Sequence, residues 1–306
     1  MDDRPGKSVN GWQIVGWLIT LLALFFVGRW LAQLDQAVWS SLLHVNKTWL
    51  IGSLLILQLW FLMRFAAWEV IVRRHGSEAQ RHQTLRTWTL SELARYVPGN
   101  VWSFAAKYRS SVSGGATKTG AVQALVIEAL AQVAGALMTA ALFYNSAQYW
   151  WVAMLVVIAF PTLMPVILSL VAKWKKWQEA PRVGMTESLG LLLWYSLLWI
   201  VFGVATAMIY RSFPEAPRVD MMWLIGANVA AWLIGYISIV TPMGLGVREV
   251  AFVRLTTDVV PSAFASLVSL VTRVWFVVSE LLFLGLVIIW SMRKDKLSDA
   301  LGIDKG

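Results

Sequence analysis

The 306-residue sequence has no cysteine, which excludes disulfides, zinc–thiolate sites and cysteine nucleophiles. Charge is scarce: 14% of residues are Asp, Glu, Lys or Arg, against roughly 25% in soluble domains. Only three histidines occur, His44, His75 and His82, all in polar segments. The last two lie seven apart in a basic loop without a carboxylate cluster, so solvated surface residues are expected there rather than metal ligands. No polar stretch is long enough to bury a core of its own. No Asp-x-Asp motif marks a metal–nucleotide site, and GLGVRE lacks both the third glycine and the preceding strand of a dinucleotide fingerprint. No histidine lies near the membrane acids, which removes Ser-His-Asp catalysis.

What the chain has is apolar length. Hydrophobic residues make up 58% of it, and tryptophan alone fills 19 positions. Several runs exceed the roughly 18 residues needed to cross a bilayer as a helix. An all-α polytopic membrane protein with a single transmembrane domain over 1–306 is expected. Clean spans fall at 12–27, 49–72, 120–143, 149–171, 189–210 and 262–290. The first is expected to be retained, because no small-x-small cleavage site precedes Arg29. Residues 31–45 carry a helical apolar stripe and are expected to lie on the membrane surface.

Loop charge sets the orientation. Eight Lys or Arg occur from Arg73 to Lys118, four from Lys173 to Arg182 and four in the tail from Arg293 to Lys305. Residues 144–150 have none, and the two in 211–220 are balanced by two acids. Basic loops face the cytoplasm, so both termini and the basic tail 291–306 are expected inside the cytoplasmic membrane. The net charge of +9 suits an anionic leaflet rather than nucleic acid.

This parity leaves two segments that must enter and leave from one side. Residues 84–111 break at Pro98-Gly99, and 221–260 break at TPMGLG (241–246). Each reads as a re-entrant helical hairpin, opening to opposite faces. The alternative is that 221–240 spans fully and 246–260 returns as a short second helix; periodicity does not separate the two. A shift of 144 lays TPMGLGVREVAF on VPGNVWSFAAKY and brings Glu128 and Arg273 within one position of each other. That is a weak inverted repeat, with halves at about 12–171 and 189–290, of the kind transporters carry.

Five charges fall inside apolar segments: Glu128, Arg248, Glu249, Arg273 and Glu280. Each costs about 2.5–3.5 kcal/mol at the bilayer centre on insertion scales. They are either structural pairs, Glu128 with an arginine and Arg273 with Glu249 or Glu280, or a head-group site. In the second reading Arg248 and Arg273 bind phosphate through planar guanidinium forks. Pro242, Gly244 and Gly246 then break the helix so that free N–H groups approach the ligand, with a β-carbon expected to crowd the cavity. Glu249 is expected to keep Arg248 paired, and the acids could also meet a cationic part of the head group. Arg64 and Arg254 are expected to snorkel from span ends.

YVPGN (96–100, with Pro98, Gly99 and Asn100), Lys107, Glu128, PMGLGVRE (242–249) and Arg273 together resemble the lysylphosphatidylglycerol synthase transmembrane region family, also called flippase-like. The likeness covers nearly the whole chain, and Pro-x-Gly-x-Gly-Val-Arg-Glu is its most specific part. It implies a lipid-translocating domain whose substrate is an aminoacylated phospholipid or a polyprenyl-phosphate-linked sugar, with no cofactor. Bifunctional members continue into a soluble aminoacyltransferase domain. This sequence ends 16 residues past Trp290, so the expectation is that another enzyme, lipid-modifying or glycan-assembling, makes the lipid. Two other classes compete: a transferase for lipid-linked sugars with Glu128 or Glu249 as base, and a non-catalytic partner of an envelope enzyme.

Overall fold

Apolar runs without water to satisfy their backbone must close their hydrogen bonds within the segment, and helices do so. The computed structural model describes residues 44–96, 101–174, 183–237 and 246–300, and among them there is no strand. The span expected at 12–27, most of the surface helix at 31–45, and both helix breaks (Pro98, Gly99 and Asn100; Pro242 and Gly244) lie outside the described residues.

Among the described residues, five helices are long and apolar enough to cross a membrane. They are α1 (Lys47–Arg74), α4 (Lys118–Phe143), α5 (Ser146–Trp174), α6 (Met185–Arg211) and α9 (Ser262–Ala300). The protein is therefore an all-α, multi-pass membrane protein. Four shorter helices complete the set: α2 (Arg81–Leu93), α3 (Trp102–Ser113), α7 (Met221–Ile237) and α8 (Val247–Thr256). Helix α5 keeps Pro161 and Pro165 inside it and runs beyond the expected 149–171. Helix α9 continues ten residues past Trp290, because nothing in SMRKDKLSDA breaks a helix.

The short helices form two antiparallel pairs. In the first, the Glu78 N–H donates to Gly114 O at 2.9 Å, and Ser110 Oγ donates to Thr87 Oγ1 at 2.9 Å. The start of α2 thus lies beside the end of α3. In the second, Tyr144 at the end of α4 donates to Leu255 O at 2.9 Å and packs its backbone against Gly226. The start of α7 thus lies beside the end of α8. Helix α4 runs from one base to the other, since its Gly120 packs on His75 next to the first pair. The bases sit at opposite ends of the bundle.

Small residues let the helices approach, as expected where lipid supplies no hydrophobic drive between them. Gly135 of α4 lies against the backbone of Tyr195 and Ser196 in α6, and Gly226 of α7 against that of Phe143 and Tyr144. Between α1, α6, α7 and α9 the core is aromatic: Trp60 meets Phe202 at 5.3 Å, Phe61 stacks on Phe283 at 5.1 Å, and Trp199 meets Trp232 edge-on at 5.4 Å. Helix α5 stands at the periphery, with 22% of its apolar window buried against 61% for α6.

Candidate functional site

The buried charges collect where the two helical pairs meet the long helices. Arg64 of α1 is 7% exposed and pairs with Glu92 of α2 at 2.5 Å. Lys107 of α3 reaches Glu92 at 2.6 Å and both oxygens of Glu128 at 2.7 and 2.8 Å. Glu128 lies 3.9 Å from Arg64 and so closes a ring of alternating charge. From Glu92 the network continues through Arg95 at 2.5 Å to Glu280 of α9 at 2.6 Å, and the Tyr96 hydroxyl donates to the other Glu280 oxygen at 2.6 Å.

A second group lies at the start of α8. Arg273 of α9 pairs with Glu249 at 2.6 Å, and the other Glu249 oxygen accepts the Gly246 N–H at 2.8 Å. Glu128 is the eleventh residue of α4 and Arg273 the twelfth of α9, each opposite its own broken pair. Polarity is reversed between them: a lysine from the first pair meets a glutamate, and a glutamate from the second meets an arginine.

Arg248 is different. It is 6% exposed, and among the described residues no carboxylate lies within ion-pair distance of it. Its guanidinium sits over the Trp232 ring, 5.4 Å from the centroid, and its electrostatic neighbours are Glu249, Arg273 and Tyr96. Other cations are also capped by indoles: Lys107 over Trp68 at 5.1 Å and Arg64 over Trp60 at 5.3 Å. Several buried polar atoms have no hydrogen-bond partner among the described residues, including the indole N–H of Trp60, Trp88 and Trp232, the Tyr195 hydroxyl, Arg64 Nε and the side-chain oxygens of Gln58 and Asn228.

Several expectations are revised. Glu249 pairs with Arg273 rather than with Arg248. Neighbouring helix residues point about 100° apart and do not face each other. Gly246 has φ +81° and open space where a β-carbon would stand, so the backbone, not crowding, demands glycine there. Arg64 is buried in an ion pair instead of snorkelling, whereas Arg254 is exposed in the last turn of α8. Arg95 and Lys107 belong to the interior, which lowers the eight basic residues of the 73–118 tract to six at the surface.

Glu92, Arg95 and Tyr96 are members that sequence reasoning missed. Their signal was there in SELARYVPGN: two charges just before a Pro-Gly pair, as VRE places two just after Gly246. No group of three or more His, Asp or Glu that could hold a metal occurs among the described residues. No protein-family model matches the chain, and comparison with curated proteins finds no match.

Proposed function

We propose that the chain is a lipid translocase of the cytoplasmic membrane that moves a phosphate-bearing lipid between leaflets. The head group crosses through the polar interior between the two broken helical pairs while its acyl or polyprenyl tails stay in the bilayer. Arg248 is the observation that carries this reading: a buried guanidinium without a carboxylate, at the start of a helix whose first N–H groups also favour an anion. A cation kept there at a cost to folding, beside buried donors without partners, is suited to a phosphate that comes and goes.

The same reading gives six spans, 12–27 included, and two re-entrant hairpins. Helix α8 has ten residues and is about 15 Å long, half of a hydrocarbon core of about 30 Å. Irregular backbone at that depth is tolerated only where protein or water surrounds it. The basic residues at the base of the first pair support a cytoplasmic position for that end and, with it, for both termini. The motif likeness to flippase-like domains supports the same class. A lipid-linked-sugar transferase would need a free base, and Glu128 and Glu249 are both engaged by cations.

The test is head-group accessibility of labelled lipids in proteoliposomes, across phospholipids and polyprenyl phosphates. A rate above protein-free liposomes for at least one lipid, lost on Arg248→Lys with folding intact, is expected. No rate above that background for any of them refutes the proposal.

A further inference from the structure

Resting on that translocase reading, we infer that the head group taken at this buried charge network carries one negative charge and no ammonium: a phosphodiester with a neutral alcohol or sugar beyond it. Among the described residues the buried network holds five cations, Arg64, Arg95, Lys107, Arg248 and Arg273, against four carboxylates, Glu92, Glu128, Glu249 and Glu280. One positive charge is left over, and it is localised on Arg248. A monoanion neutralises it. A phosphomonoester, at about −1.5 to −2 near neutral pH, leaves an excess negative charge in its place.

The case against an ammonium is independent of that count. Both oxygens of every carboxylate are engaged. Glu92 meets Lys107 on one oxygen and Arg64 and Arg95 on the other. Both oxygens of Glu128 face Lys107. Glu249 holds Arg273 and the Gly246 N–H, and Glu280 holds Arg95 and the Tyr96 hydroxyl. Aromatic faces are the other way to hold an ammonium, and those of Trp60, Trp68, Trp88 and Trp232 already lie under Arg64, Lys107 and Arg248. Among the described residues the buried polar atoms without a partner include donors, the indole N–H of Trp232, Trp60 and Trp88, and two neutral acceptors, Gln58 Oε1 and Asn228 Oδ1. No carboxylate is spare to pair an ammonium, whereas Arg248 and these N–H groups suit phosphodiester and hydroxyl oxygens.

The experiment is displacement of fluorescent phosphatidylglycerol from the detergent-solubilised full chain. The competitors are phosphatidylglycerol, phosphatidylethanolamine, lysyl-phosphatidylglycerol and phosphatidic acid. Phosphatidylglycerol is expected to bind at least about tenfold more tightly than the other three, about 1.4 kcal/mol. Arg248→Met should abolish that preference while the thermal melt holds or rises. Glu249→Gln, which removes one carboxylate charge beside Arg273, should bring phosphatidic acid level with or ahead of phosphatidylglycerol. Equal or tighter binding of any of the other three lipids overturns the inference, as does an unchanged order in either variant or no displacement at all. Transport is scored separately. Movement of lysyl-phosphatidylglycerol in proteoliposomes keeps the translocase and sinks the charge rule; selective binding of phosphatidylglycerol without movement of any lipid does the reverse.

Discussion

Arg248 and Arg273 offer the same substitution in two electrostatic settings, and the structure assigns them opposite signs. Arg248→Met removes a buried cation that no carboxylate compensates. Desolvating an ion costs several kcal/mol even after relaxation, and the contact with Trp232 at 5.4 Å returns only about 0.5–2 kcal/mol of it. Methionine fills a similar volume, so the variant should be more stable by about 1–3 kcal/mol. Arg273→Met instead strands Glu249 with one N–H donor; its side chain is 16% exposed, which puts the loss near the lower end of the usual range, about 3 kcal/mol. The two variants should therefore differ by about 4 kcal/mol or more. Reversible unfolding in mixed micelles, followed by the fluorescence of the 19 tryptophans, measures both. If Arg248→Met destabilises by more than about 1 kcal/mol, an acid partner for Arg248 exists and the charge reasoning fails.

Three further outcomes follow from the backbone and the topology. Gly246→Ala should cost about 1–2 kcal/mol through φ +81° alone, with no clash, read as a lower melting temperature and no change in oligomeric behaviour. Gly226→Ala drives a β-carbon into the backbone of Phe143 and Tyr144 and should cost about 1–3 kcal/mol, whereas Gly190→Ala, which faces open space in α6, should gain about 0.5–1 kcal/mol. On the cysteine-free background, Cys at Glu215 or Ser262 should react with an impermeant maleimide from outside, and Cys at Glu78 only after permeabilisation. Labelling of Ser262 solely from inside would mean that α7 crosses the membrane completely.

Apolar length was legible in the sequence because it needs only composition: 49–72 became Lys47–Arg74 and 189–210 became Met185–Arg211. The two Pro- and Gly-bearing stretches, 97–100 and 238–245, lie outside the described residues. Pairing among the charges was not legible, since it depends on which helix faces which. Adjacency made Arg248 and Glu249 look like partners, yet the acid turns to Arg273, 24 residues on. Depth misled at Arg64: it lies ten residues before Arg74, where a long side chain could have reached an interface, but Glu92 was 28 residues away in sequence and 2.5 Å away in space. Ser77, in the basic loop, is 6% exposed because it packs on Gly114, a contact no local pattern announces.

Helix α9 carries Arg273 and Glu280 seven residues apart, two turns and about 10.5 Å along one face. One holds the start of α8 and the other the end of the first pair through Arg95 and Tyr96. A single rod is thus pinned to two arms that approach from opposite ends of the molecule. The spacing of these two side chains on α9 therefore fixes the register of both arms against one helix face, so a change in that spacing would shift one contact relative to the other.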